Sequence, residues 1–251
     1  MRQCRVTIKI FMGRIVPALL LLVLGACAGL APKVEGVRTI GIVSAIGDKF
    51  HLRTVGITVF GNESQEIAID AWGIDDLMTA KIRAALTPRF DVRPVTYRRA
   101  AFATLENRIA IGINQLRPEI VRAEVSPQGL DAYLVVTKSI GQYNQTNQIL
   151  EGLGIVQGSD LFASNIYAHA YYEISVVDGH AWTLSRSTVA GLPGGGEGLF
   201  GPRMKGVNRE LDKSWWPSSL DAASNQRLKG VVVELIDQSL PGTLQRMQLV
   251  Q

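Results

Sequence analysis

Cysteine and histidine are scarce in this sequence, which has two cysteines and three histidines among 251 residues. Cys4 lies close to the start, and Cys27 follows an apolar run. No H-E-x-x-H pattern and no paired-cysteine pattern occurs, so the sequence has no recognisable zinc motif. We therefore expect no metal site, no disulfide framework and no cofactor.

Basic residues exceed acidic ones by only four, and this excess lies at the start of the chain. Arg2, Arg5, Lys9 and Arg14 precede the apolar run, with no acidic residue among them. Without these four, 22 of the 26 basic residues remain and match the 22 acidic ones. A protein that binds nucleic acid needs a basic face to neutralise phosphates, so we expect no nucleic-acid partner.

Long apolar runs are also missing, apart from residues 15–24, which Pro17 interrupts. This run is too short to span a bilayer, which takes about 20 apolar residues. A basic opening, a short apolar run and the small residues Gly25 and Ala26 are typical of a secretory signal peptide. The sequence therefore predicts a signal peptide over residues 1–26, with an uncleaved anchor helix as the alternative.

The residues Leu24-Gly25-Ala26-Cys27 resemble the lipobox of bacterial lipoproteins. In that family the leader is cut before the cysteine, whose sulfur carries a diacylglycerol and whose amine takes a fatty acid such as palmitate. Two or more acyl chains make a stable anchor, at about 0.8 kcal/mol per buried CH₂. The resemblance also implies the outer membrane, facing the periplasm, rather than the inner membrane, because Ala28 stands where inner-membrane lipoproteins have aspartate. The alternative is an ordinary cleavage site with an incidental cysteine.

The rest of the chain reads as a lipidated N-terminus and tether over residues 27–36, followed by one periplasmic domain over residues 37–251. Two β-branched segments, 37–46 and 50–60, flank turn residues and predict an opening hairpin. Helical spacing predicts a helix over residues 74–86.

Further elements complete an α/β or α+β domain with a mixed sheet, β-hairpins and packed helices. Asp178-Gly179 predicts a type I′ turn between strands 166–177 and 180–189. The last helix is predicted to begin near Ser219 and to end before Pro241. The remaining segments are predicted strands over 90–95 and 132–140 and a helical stretch over 101–124 that breaks near Pro118.

The order of these elements resembles that of curli-secretion and penicillin-binding-protein activator lipoproteins. The shared pattern is an opening strand, a helix, a strand like RFDVRPV and a hairpin like YEISVVDGHAWTLSRS. The resemblance implies a similar α/β topology, from which the predicted opening hairpin departs.

A glycine-rich stretch over residues 190–203 contains G-x-G-x-x-G at Gly196, Gly198 and Gly201. In a dinucleotide site such glycines follow a strand of a βαβ unit and open a helix. Here the preceding strand belongs to a predicted hairpin, and little helix can follow Pro202. We therefore expect a surface loop over residues 191–201 and no nucleotide.

Candidate binding residues lie on one predicted strand face and in a tryptophan pair. Alternation directs Tyr167, His169 and Tyr171 to the face opposite the predicted core. Trp215 and Trp216 cannot both face one core from a regular strand, so we expect Trp215 to pack and Trp216 to contact a partner. The alternatives are a helix over the strand face and a structural role for both indoles.

The leading hypothesis is a membrane-anchored periplasmic lipoprotein that binds a protein or envelope component and is not an enzyme. No G-x-S-x-G nucleophile motif occurs, and no catalytic residue is assigned. The rival hypothesis is an anchored periplasmic hydrolase with a dispersed acid/base site. The candidate residues of that site are His51, Asp48, Asp70, Asp75 and Asp76.

Overall fold

The computed structural model describes residues 36–56, 61–103, 116–143, 148–159, 164–192, 206–217 and 225–251. The strands in these ranges are β1 (Thr39–Ala45), β2 (Lys49–Val55), β3 (Glu63–Ala68), β4 (Asp91–Arg93), β5 (Ala132–Lys138), β6 (Ile140–Gln142), β7 (Ile149–Glu151), β8 (Leu153–Ser159), β9 (Ser164–Ala170), β10 (Tyr172–Asp178), β11 (Leu184–Val189) and β12 (Asn208–Leu211). The α-helices are α1 (Ile74–Leu86), α2 (Ala100–Ala103), α3 (Pro118–Val125) and α4 (Gln226–Arg246).

Two five-stranded sheets organise these elements. The first sheet has the order β11-β10-β5-β1-β4, and the second has the order β12-β9-β8-β2-β3. In the first sheet β1 runs parallel to β4 and β5, whereas β10 runs antiparallel to β5 and β11. In the second sheet β2 runs parallel to β8, and the other pairs are antiparallel. This arrangement of mixed sheets and helices confirms the predicted α/β class.

Three stretches of chain without a helix pass from the inner part of one sheet to the other. They are β1 into β2, β5 into β8, and β9 into β10. The third passage has a single residue, Tyr171. Its backbone N–H donates to Gly152 O at 2.8 Å, and its backbone carbonyl oxygen accepts from Ser139 N at 3.0 Å. Gly152 N also donates to Ser139 O at 3.0 Å, so backbone bonds continue across the bend.

The second passage carries an additional antiparallel pair, β6 with β7. We call this pair, together with Tyr143 and Gln148, the β6–β7 ribbon. It leaves the sheet after Ser139 and returns at Gly152, where the backbone bond between these two residues closes its base.

The predicted opening hairpin is wrong, because β1 and β2 belong to different sheets. The turn residues instead lie where the chain passes between sheets, and a buried carboxylate holds this segment. Asp75 accepts hydrogen bonds from Ile46 N at 2.9 Å and Gly47 N at 3.2 Å. A Cβ at Gly47 would come within 2.9 Å of the Ile74 Cβ, so the close approach of α1 requires glycine there.

The predicted type I′ turn is also wrong, since β10 and β11 are joined by five residues rather than two. The Asp178 carboxylate accepts from the N–H groups of His180 and Ala181, which wraps the loop around the aspartate. The left-handed residue is Trp182, with φ 54°, and not Gly179. A Cβ at Gly179 would overlap Leu130 O, so this glycine is needed for a close approach.

Helix α1 confirms the prediction over residues 74–86, whereas the predicted end of the last helix before Pro241 is wrong. Helix α4 continues to Arg246, and its cap is Asn225, whose side chain accepts from the N–H groups of Arg227 and Leu228. Proline removes a single intrahelical bond. The helix continues because Leu240 and Leu244, on either side of the proline, are buried in the core.

The first sheet is covered by helices on both faces. On one face α1 contacts β1, and the Tyr172 hydroxyl of β10 bonds Ser239 of α4 at 2.7 Å. On the other face α2 and α3 contribute Phe102, Val121 and Val125 to a buried cluster. None of the helices in the described ranges has the length and apolarity that a membrane span requires.

Candidate functional site

The two faces of the second sheet carry different side chains. One face is apolar and buried, with Phe50 and Leu52 of β2 beside Leu153 and Ile155 of β8. On the opposite face one row of residues crosses all five strands, and four of its five members carry polar side chains. The strand register gives the order of this row as Glu66, His51, Gly154, His169 and Asn208.

The β6–β7 ribbon covers this polar face. The ribbon contributes the side chains of Tyr143 and Leu150 to a buried cluster. The other members of this cluster are Val55, Val156, Tyr167 and Tyr171. Two glycines make room for the rings. A Cβ at Gly158 would overlap the Tyr143 ring, and one at Gly141 would overlap the Tyr171 ring. The ribbon therefore packs directly against the backbone and rings beneath it.

His169 lies at the centre of the covered face and is fully buried. Its Nδ1 lies 3.1 Å from Gly152 O, and since a carbonyl only accepts, Nδ1 carries the proton. Its ring stacks on Tyr171 at 4.9 Å between centroids. Burial is the main cause that lowers the pKa of His169 to about 3; the hydrogen bond to Gly152 O opposes this effect, and the electrostatic influence of His51 and Arg53 adds to it. The imidazole is therefore neutral, and within the described part of the chain its Nε2 has no hydrogen-bond partner.

Arg53 lies two residues along β2 from His51 and points into the same covered face. Its Nη1 donates to Ile149 O at 2.6 Å, and its Nη2 donates to Gln148 Oε1 at 2.9 Å. Both acceptors are neutral and belong to the ribbon. Burial lowers the pKa of Arg53, and among the described residues no carboxylate lies within ion-pair distance of it. The guanidinium is thus a half-buried cation without a counter-charge from these residues.

Charged residues near the start of β2 and the end of β5 form a separate group. Lys138 is buried, and its Nζ lies 2.8 Å from Asp48 Oδ1. Glu66 lies 2.8 Å from Lys49 Nζ and 3.9 Å from His51 Nδ1. The carboxylate that the structure places beside His51 is therefore Glu66 rather than the predicted Asp48.

The other aspartates of the predicted acid/base set have different surroundings. Asp75 is buried and accepts from Ser44 Oγ at 2.7 Å, besides its two backbone donors. Burial raises the pKa of Asp75, and the hydrogen bonds oppose this effect. Asp70 and Asp76 are exposed, and Asp76 bonds Arg99 at 3.0 Å. The structure thus gives Asp75 a structural role where the chain passes from β1 to β2.

The structure brings the predicted residues Tyr167, His169 and Tyr171 together. Their exposed fractions are 6%, 0% and 1%, so the ribbon and the sheet enclose all three rings. A ligand could reach them only if the ribbon moved, and binding by these residues stays a prediction. Sequence alternation located them, but it did not indicate Arg53 or the ribbon that covers them.

The tryptophan pair lies apart from this face, in and after a short 3₁₀ helix over Lys213–Trp215. Both Trp215 and Trp216 are half-buried. The Arg227 guanidinium lies 3.6 Å from the centroid of the Trp215 ring, which is a close cation–π contact. A partner contact by Trp216 stays a prediction.

Several predictions concern residues that the structure does not describe. The leader, Cys27 and most of the tether fall within residues 1–35, and most of the glycine-rich stretch falls within 193–205. The predicted start of the last helix near Ser219 also lies outside the described ranges. Within those ranges, no group of three or more histidine, cysteine, aspartate or glutamate side chains could hold a metal ion.

Comparisons with known proteins give only distant likenesses. No protein-family model matches the chain, and no curated protein matches it. A lipoprotein from Neisseria meningitidis is 16% identical, with 80% of this chain and 95% of that chain covered and a TM-score of 0.28. A hypothetical protein from Chlamydia trachomatis is 9% identical, with 80% and 96% covered and a TM-score of 0.28. At these identities and TM-scores neither likeness carries an argument about fold or function.

Proposed function

We propose that this protein is a lipoprotein of the bacterial envelope whose domain binds a protein or another envelope component. The anchor is a lipid on Cys27, and the membrane is the outer one, with the domain facing the periplasm. The observation that carries the proposal is the lipobox-like Leu24-Gly25-Ala26-Cys27 directly after a basic and apolar leader. Residues 28–36 reach at most about 30 Å when extended, so the domain stays close to the membrane.

The covered face of the second sheet supports a binding role. It combines aromatic rings with His169 and Arg53, whose charges or lone pairs are not fully matched by the described residues. Buried polar groups of this kind are costly for stability, and ligand sites are where proteins tend to retain them. The hydrolase hypothesis has less support, because Asp48 forms an ion pair with Lys138 and Asp75 accepts a hydrogen bond from the backbone N–H of Ile46.

The anchor is tested by replacing Cys27 with serine and labelling cells with palmitate. We expect Cys27→Ser to lose the label, because serine cannot form the thioether. The matched control is Cys4→Ser, which alters a leader cysteine and is expected to keep the label. Label retained by Cys27→Ser, or lost equally in both variants, contradicts the proposed anchor.

The binding role is tested by crosslinking intact envelopes and identifying the proteins that copurify with the chain. We expect Trp216→Ala to lose copurifying protein while keeping its melting temperature, since interface aromatics often dominate binding energy. Trp215→Ala is expected to melt earlier, because it removes the ring beneath Arg227. If neither variant changes the captured set, the tryptophan pair has no part in binding.

A further inference from the structure

The ribbon places two oxygen atoms on the guanidinium of Arg53. One is the backbone oxygen of Ile149, on Nη1, and the other is the side-chain oxygen of Gln148, on Nη2. A carboxylate bound to arginine in the bidentate manner also places one oxygen on each of two nitrogens. The ribbon thus imitates the geometry of a carboxylate but lacks its charge.

We propose that Arg53 recognises a carboxylate on a peptide segment, and that the β6–β7 ribbon occupies Arg53 when this segment is absent. The inference rests on the proposed binding function and names the chemistry of the ligand. An entering carboxylate takes the place of the two neutral oxygens and supplies the negative charge that the surroundings of Arg53 lack. A carboxylate adds the Coulomb attraction between two opposite charges, which the two neutral oxygens do not supply, and this favours the exchange.

The charge of the site selects a carboxylate over a phosphate. Among the described residues near Arg53, Lys49 pairs with Glu66 and Lys138 pairs with Asp48. The neighbouring His169 is neutral because burial holds its pKa at about 3. One guanidinium matches one negative charge, whereas a dianionic phosphate would remain half uncompensated in a partly buried site. At the other end of the row Glu66 lies 2.8 Å from Lys49 Nζ, so that carboxylate already has a cation beside it.

The ribbon can leave Arg53 without breaking the sheet beneath it. The bond from Gly152 N to Ser139 O closes its base, and the bonds of Tyr171 to both residues continue the backbone ladder there. The ribbon itself has only three residue pairs, so its opening is a local event rather than global unfolding.

The experiment uses two probes that differ only in charge, N-acetylglutamate amide and N-acetylglutamine amide, at millimolar concentration with the full chain in detergent. Hydrogen exchange is followed by mass spectrometry in peptides that cover β6 and β7. We expect the carboxylate probe to speed exchange there by about threefold or more, because it shifts the ribbon toward its open state. The neutral probe is expected to have no effect.

Gln148→Glu is the decisive variant, since it is isosteric and places a carboxylate on Arg53 within the chain. We expect it to slow ribbon exchange by about tenfold, because the tethered group has a high effective concentration, and to abolish the response to the probe. Arg53→Lys keeps the positive charge but removes the two guanidinium nitrogens that bind a carboxylate in the bidentate manner. This variant should lose the response as well. The matched control is Arg93→Gln, which alters an exposed arginine 2.6 Å from Asp91 and should leave the response unchanged.

Equal responses to both probes overturn the inference, and so does a response that persists in Gln148→Glu. Either result would leave the lipid anchor and the capture of envelope partners untouched, because those tests do not involve Arg53. Loss of palmitate labelling in both cysteine variants would, in turn, contradict the proposed anchor without bearing on the probe titration.

Discussion

The two five-stranded sheets have similar strand pairing, but different elements pack against their faces. In each, a parallel pair lies beside an antiparallel strand, β1 and β5 beside β10 in the first sheet, and β2 and β8 beside β9 in the second. Helices cover both faces of the first sheet, and the residues they enclose are mainly apolar. One face of the second sheet is covered by a short β-ribbon, and here histidine and arginine are enclosed.

The difference follows from the backbone of the covering element. A helix uses most of its carbonyl oxygens for its own hydrogen bonds, so it presents an apolar stripe to the sheet. A two-stranded ribbon and its base can offer backbone oxygens to side chains beneath them. Ile149 O accepts from Arg53, and Gly152 O accepts from His169. Polar side chains can therefore be buried beneath the ribbon at a lower cost than beneath a helix.

The largest expected effect is in the first sheet. Leu134 of β5 is fully buried. We expect Leu134→Ala to reduce the free energy of unfolding by about 3 kcal/mol, through lost transfer energy and the cavity that remains. Urea unfolding followed by circular dichroism measures this loss. A loss below about 1 kcal/mol would mean that the residues around Leu134 move to fill the cavity, so that this site tolerates truncation as a surface position does.

The second effect concerns the pH dependence contributed by His169. Its pKa of about 3 in the folded state lies below the ordinary value of 6.5. Between these values the unfolded chain binds the extra proton, so the contribution of His169 is complete above pH 6.5 and is lost as the pH falls toward 3. We expect His169→Gln to flatten the acid limb of the stability curve by about 1.4 kcal/mol per pH unit in this window. An unchanged acid limb would contradict the burial of a neutral imidazole beneath the ribbon.

The smallest expected effect is in the ribbon, and it gives a matched partner for the first variant. Leu150 of β7 is 2% exposed, nearly as buried as Leu134. We expect Leu150→Ala to reduce the global free energy of unfolding by less than about 2 kcal/mol, because the ribbon can open without the sheets. Hydrogen exchange should accelerate in β6 and β7 alone. If both leucine variants lose equal stability, the ribbon unfolds together with the sheets and the comparison fails.

Local signals in the sequence were sufficient for part of the fold. The spacing of apolar residues predicted α1 over residues 74–86, and the structure has the same bounds. β-branched segments indicated β1 and β2, and the strand predicted over residues 132–140 contains β5, whereas β8 was not predicted. The alternation along residues 166–177 also placed Tyr167, His169 and Tyr171 together, although the single strand predicted there is wrong, because the structure divides it at Tyr171 into β9 and β10 of different sheets. These features depend on residues close together in the chain, and this is why pattern alone finds them.

The sequence by itself determined the class of the domain and some of its helical and strand segments, such as α1, whereas the tertiary structure decided how the strands pair and what covers them. Asp75 holds the segment at Gly47 from 28 residues away, so no local turn signal could show that β1 and β2 part there. Pro241 stays helical because buried leucines on either side outweigh one lost hydrogen bond. Arg53 became a candidate for recognition only when the fold brought Gln148 and Ile149 to it across 95 residues or more. Such contacts depend on the closure of long loops, for which a periodic pattern in one segment carries no information.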